Sequence, residues 1–129
     1  MAATSKNLNT FDYLNMLFSK ELKNIVRREQ HNKNQIHLYG VGEYWVAFEK
    51  SAYLLEQMSV QEPEPTVLYL KEYPFPILMY SVHYRKVKDW CRNRTLSKSY
   101  QDYLLLPAKT IEPDLYRKWH RSHMDECYE

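Results

Sequence analysis

The stretch Leu38-Tyr39-Gly40-Val41-Gly42-Glu43-Tyr44-Trp45-Val46-Ala47-Phe48-Glu49-Lys50-Ser51-Ala52 contains both glycines of a 129-residue chain. Average usage near 7% would place about nine in a chain of this length. Gln35 to Tyr39 alternates as a strand does, with Ile36 and Leu38 on one side. The two glycines then form a tight turn, in which Gly40 relieves the approach to Gly42. From Glu43 to Met58, Trp45, Phe48, Ala52 and Leu55 recur at helical spacing, which predicts a helix over 43–58.

On the N-terminal side, Phe11, Leu14, Phe18, Leu22 and Ile25, joined by Leu17 and Val26, recur at three and four residues and predict a helix over 10–29, capped by Asn9 or Thr10. On the C-terminal side, Gln61-Glu62-Pro63-Glu64-Pro65 reads as a loop and Thr66 to Tyr73 as a strand. Pro74 and Pro76 break it, and Ile77 to Val82 is the next strand. A basic helix over 83–98 turns Val87, Trp90 and Cys91 inward, with Arg94 on the same side, and Tyr100 to Leu106 is a last strand ended by Pro107. The terminal helix begins near Thr110, with Glu112, Pro113 and Asp114 early and Arg117, Lys118, His120 and Arg121 later, the order its dipole favours. The pattern predicts one α/β or α+β domain over 10–125, a mixed β-sheet flanked by about four helices, between a flexible 1–9 and a tail at 126–129.

Composition narrows the function. With 44% hydrophobic and 26% charged residues the chain is long enough for one core. It has no apolar run long enough to span a bilayer and no signal-peptide pattern, so a cytoplasmic location without membrane contact is expected. Cys91 and Cys127 are read as reduced thiols. Two neighbouring glycines supply neither a dinucleotide fingerprint nor a Walker loop. Ser, His and acidic residues occur, but no motif groups them, so neither an enzyme nor a cofactor is expected. His120, His123 and Cys127 share a helical face at metal-ligand spacing, with Cys91 as a fourth ligand of a zinc set. A polar C-terminal helix accounts for the same residues, and no metal is expected.

The net charge is only +2, yet residues 83–98 hold six of the 18 Lys and Arg residues and one acid, Asp89. His83, Arg85, Lys86, Lys88, Arg92, Arg94 and Lys98 suit phosphate contacts, and Tyr80, Tyr84 and Trp90 stand among them for stacking or packing. A solvated outer helix face would carry the same charge without a ligand.

Two stretches resemble the mismatch-recognition domain (domain I) of the MutS family. Gly42, Glu43, Tyr44, Trp45, Phe48 and Ala52 stand at the places of that family's Gly-Asp-Phe-Tyr-Glu-x-Phe segment and its following Ala. Met79, Val82, Tyr84, Val87 and Trp90 match in kind its Met-x-Gly-Val-Pro-Tyr-His-x-Val-x-x-Tyr segment. The resemblance spans about residues 10 to 107. It implies that Tyr44 stands where an aromatic wedges beside a mispaired base, a minor-groove unstacking device. Val46 stands where the family has the Glu that hydrogen-bonds that base, and an isopropyl group does neither part of that bond. Glu43 and Glu49 lie at other angles.

The resemblance and the charge together imply a stand-alone, non-catalytic DNA- or RNA-binding accessory module without an ATPase, of the kind a mobile-element or repair assembly would use. A single small module has a limited contact area on DNA, so a protein partner or self-association is expected to assist. The alternative is a protein-interaction module that kept the fold and lost the nucleic-acid role, with tyrosines as interface material.

Overall fold

A computed structural model describes residues 9–58, 65–71, 73–92, 98–99 and 102–127. The chain runs α1 (Thr10–Gln30), β1 (Gln35–Val41), β2 (Tyr44–Phe48), α2 (Glu49–Met58), β3 (Thr66–Leu68), β4 (Ile77–His83), α3 (Tyr84–Arg92), β5 (Lys98–Ser99), β6 (Tyr103–Pro107) and α4 (Pro113–Cys127). Among the described residues this is the expected single-domain α+β fold with four helices. The strands form one sheet in the order β3-β4-β2-β1-β6-β5.

The expected mixed sheet is antiparallel in every described ladder. Helical connections do join strands of like direction, β2 to β3 through α2 and β4 to β5 through α3. In each case an odd number of strands lies between the two, β4 in the first and β2, β1 and β6 in the second. No two parallel strands become neighbours.

The central hairpin departs most from the sequence reading, because Tyr44–Phe48 is a strand and the helix starts only at Glu49. Val41 pairs with Tyr44, leaving Gly42 and Glu43 as a two-residue turn. Gly42 has φ +71°, at the position where a type II′ hairpin takes glycine. Gly40 lies within β1 and donates its N–H to the Asp102 carbonyl at 2.9 Å. A β-carbon there would meet Asp102 at an ordinary 3.4 Å, so no close approach requires this glycine.

Strands β1, β2, β4 and β6 are covered on both faces, which explains their nearly unbroken apolar sequence. One face carries Tyr39, Val41, Val46, Phe48, Ile77 and Met79 against Leu14, Leu17, Phe18, Leu22, Ile25 and Val26 of α1. The Phe48 ring sits 5.5 Å from Phe18 and 5.8 Å from Tyr39. Phe11, expected on this apolar stripe, is instead 67% exposed and lines a groove between α1 and the segment after β3. The other face carries Ile36, Leu38, Ala47, Tyr80, Val82, Leu104 and Leu106 beneath α2, α3 and α4. Helix α4 is held by Tyr53 against Tyr116 and Trp119, and by a 2.8 Å bond from Trp119 Nε1 to Glu56 Oε2.

Other boundaries shift for local reasons. Asn9 caps α1, accepting from the Asp12 N–H at 2.9 Å while Asp12 reaches back to Asn9. The strand expected over 66–73 pairs only through Leu68. The basic helix spans Tyr84–Arg92, because His83 still pairs with Tyr44 in the β4 ladder. The last strand starts at Tyr103 and includes Pro107, whose missing N–H is tolerated at the end of its ladder. Helix α4 starts at Pro113, a favoured first helical residue, rather than near Thr110.

The turn makes a specific demand. A β-carbon on Gly42 would meet Thr10 Oγ1 at 3.3 Å and Tyr13 Cδ2 at 3.4 Å, on a backbone already in the left-handed region. Gly42→Ala is expected to cost about 1–2 kcal/mol, and Gly40→Ala less than half of that. Urea denaturation midpoints of the two variants check the difference.

Candidate nucleic-acid interface

The hairpin tip brings Tyr44 to the end of the sheet beside the start of α3. Tyr44 and His83 are cross-strand partners, with rings 5.5 Å apart and edge to face. The His83 ring lies 4.7 Å from that of Tyr84, and the Arg85 guanidinium stands 5.9 Å from the Tyr84 ring centre. Tyr44 is 38% exposed and Tyr84 41%. The tip is tied to the helix by the Tyr84 N–H, which donates to the Glu43 carbonyl at 2.9 Å. His83 Nδ1 accepts the Arg85 N–H at 3.3 Å, satisfying a donor in the first turn of α3. Its Nε2 is 4.0 Å from Glu43 Oε2.

Beyond this cluster, α3 turns Val87 into the core with Trp90 and Cys91 packed alongside, as the spacing predicts. Arg85, Lys86 and Lys88 are exposed. Arg92 is exposed as well and lies 3.6 Å from Asp89. Lys98 belongs to β5 at the far edge of the sheet and not to the helix, and its side chain lies outside the described residues, as does Arg94. The structure therefore joins Tyr44, His83, Arg85, Lys86 and Lys88 at one end of the molecule, with Arg92 at the far end of the helix. Val46 is buried under α1.

The histidine face of α4 is engaged otherwise. His120 Nε2 lies 3.1 Å from Glu49 Oε2, and the His123 ring packs edge-on against Trp119 at 5.0 Å. Cys127 is the last residue of α4, and its side chain lies outside the described residues. Among the described residues no three His, Cys, Asp or Glu side chains are grouped to hold a metal ion. No described helix is long and apolar enough to cross a membrane.

A second constellation escaped the sequence reading. Glu29, at the end of α1, is 3% exposed and accepts from the Ser51 N–H at 2.8 Å, the Ser51 hydroxyl at 2.6 Å and Asn32 Nδ2 at 3.2 Å. Ser51 Oγ in turn accepts from the His37 N–H at 2.9 Å. Beside it, Glu49 turns β2 into α2 with φ +48°, and its carboxylate accepts from the Leu78 N–H at 3.2 Å. Burial pushes the Glu29 carboxyl up to about 7 against the pull of its three donors. Burial also lowers His37 to about 4, aided by the Arg28 charge. Glu29 and Ser51 stand 22 residues apart, and the only local signal was a carboxylate placed late in a helix, where the dipole disfavours it.

Comparison with protein-family models, with curated proteins and with solved structures finds no match to this chain.

The Glu29 shift has a pH signature. A carboxyl raised in the folded state holds its proton there longer than in the unfolded chain, so its contribution is complete below pH 4.5 and is lost as pH rises through about 7. Lowered His37 acts oppositely, losing its contribution as pH falls from 6.5 through about 4. Glu29→Gln, an uncharged mimic of the protonated acid, is expected to become progressively more stable relative to the parent across that window, by at most about 3 kcal/mol. Paired urea titrations from pH 4.5 to 8 check this, with His37 common to both chains.

Proposed function

We propose that the chain is a non-catalytic nucleic-acid-binding module of the MutS domain I type, working as an accessory to a larger assembly. The observation that carries the reading is the cluster of Tyr44, His83, Tyr84 and Arg85, with Lys86 and Lys88 on the following turn of α3. Aromatic faces offer stacking to any base, and neighbouring cations offer phosphate contacts whose strength falls with salt. Val46 in the core leaves no acceptor at the base-reading place, so binding does not discriminate a mispair in the family's manner.

A second reading, a protein-interaction module, draws on a different surface. Phe11, Leu14, Phe18 and Leu22 of α1 face Leu68 to Lys71 across a groove of about 540 Å³, with Phe11 and Tyr69 more than 60% exposed. Patches of exposed large apolar side chains are common at protein contacts.

Fluorescence polarisation against single-stranded, duplex and mismatched oligonucleotides tests the first reading. Tyr44→Ala is expected to weaken binding by about tenfold, the loss of one stacked base at roughly 1–3 kcal/mol. Replacing Arg85, Lys86 and Lys88 together by Ala should flatten the salt dependence on single strands by about 2 in log-log slope. No binding at low salt, or binding indifferent to these changes, overturns the reading.

A further inference from the structure

At the opposite end of the sheet from the hairpin tip, the α1–β1 connection, the start of α2 and the start of α4 enclose a cavity of about 630 Å³. Small-molecule sites typically fall between about 300 and 1,000 Å³. Its polar lining includes Lys33, Lys50, Arg117 and His31, and no Asp or Glu lines it. Its apolar lining is Ile111, Pro113 and the Tyr116 ring. The three permanent cations come from three separate elements, so tertiary folding alone brings their charges together.

We propose that this cavity is a binding site for a small phosphate monoester with an apolar body, of mononucleotide size. Concave walls lined by one sign of charge concentrate the field and attract the opposite charge. Lys50 sits in the first turn of α2, where the dipole disfavours a cation. It is fixed there by a 3.2 Å bond from its ammonium to the Gln30 carbonyl and by the Tyr116 ring 6.0 Å away. That ammonium has three donors, of which the Gln30 carbonyl takes one. Arg117 pairs with Asp114 through one arm of its guanidinium fork, which has five donors in all. Among the described residues no acid pairs with Lys33, and its carbonyl holds the Ile111 N–H at 2.7 Å, fixing the rim to the floor. Glu49 and Glu29 line an adjoining cavity that shares Gln30, Lys50 and Tyr116 with this one, and Asp114 stands against Arg117. The site is independent of the proposed interface at Tyr44 and α3, and it implies that the domain senses a small phosphorylated ligand as well as a polymer.

Calorimetric titration of the full chain at low salt, with AMP as probe and adenosine and inorganic phosphate as comparisons, tests the proposal. Saturable AMP binding is expected, at least tenfold tighter than either comparison. Lys50→Ala and Arg117→Ala should each weaken it tenfold or more, and exposed Lys33→Ala, the variant least able to disturb folding, should weaken it several-fold. Replacing Arg85 and Lys88 by Ala should leave it unchanged. The proposal is overturned by absent binding at millimolar AMP, by inorganic phosphate or adenosine binding as tightly, or by loss in the Arg85/Lys88 variant with retention in the other three.

Discussion

The Glu29 carboxyl group joins three parts of the chain that local sequence forms separately. It ends the helix on one face of the sheet, takes a backbone donor from the first turn of the helix on the other face, and through Ser51 fixes the His37 amide of β1. Asn32 closes the circuit by donating to the Gln35 carbonyl at 2.6 Å and accepting the Gln35 N–H at 3.0 Å. Glu29, Asn32, His37 and Ser51 are all buried, and a buried polar group left without its partner costs about 1–3 kcal/mol. The circuit therefore sets where α1 ends, where α2 begins and the register at which β1 enters the sheet.

That constraint also organises the two ends of the molecule. With the base of β1 and the start of α2 fixed together, the short Gly42-Glu43 turn must emerge at the other end, and β4 pairing places His83 beside Tyr44. The aromatic and basic groups of the tip thus sit on rigid strand ends and the first turn of α3. The left-handed backbone of Glu49 costs about 1–2 kcal/mol, offset by the bonds its carboxylate makes to β4 and α4. The same sharp corner puts Lys50 beside Gln30 and Tyr116, so the cationic cavity at this end follows from the way the strand enters the helix.

The sequence made α1 legible almost to the residue, because its apolar residues recur at helical spacing and one of the two cap candidates, Asn9, is the cap. It misled at 43–48, where Trp45, Val46, Ala47 and Phe48 are apolar on both faces of a doubly covered strand. A two-residue period vanishes in such a strand, and Trp45, Phe48, Ala52 and Leu55 fit a helix by coincidence. Tyr44 and the cations of α3 were visible from motif and charge density. Glu29, Ser51 and Glu49 were not, since their meaning lies in contacts across 20 to 70 residues. Lys33, Lys50 and Arg117 each read as an ordinary surface charge until the fold brings them to one cavity.

The central claim is that the hairpin tip and α3 form the surface that meets a nucleic acid. Amide chemical-shift mapping of the labelled chain with a short single-stranded oligonucleotide at low salt tests it most directly. The account predicts shifts concentrated at Gly42, Glu43, Tyr44 and residues 83–88, with Val46 and the Phe11–Leu22 side of α1 unmoved. Unperturbed amides throughout, or shifts confined to α1 and β3, would contradict it.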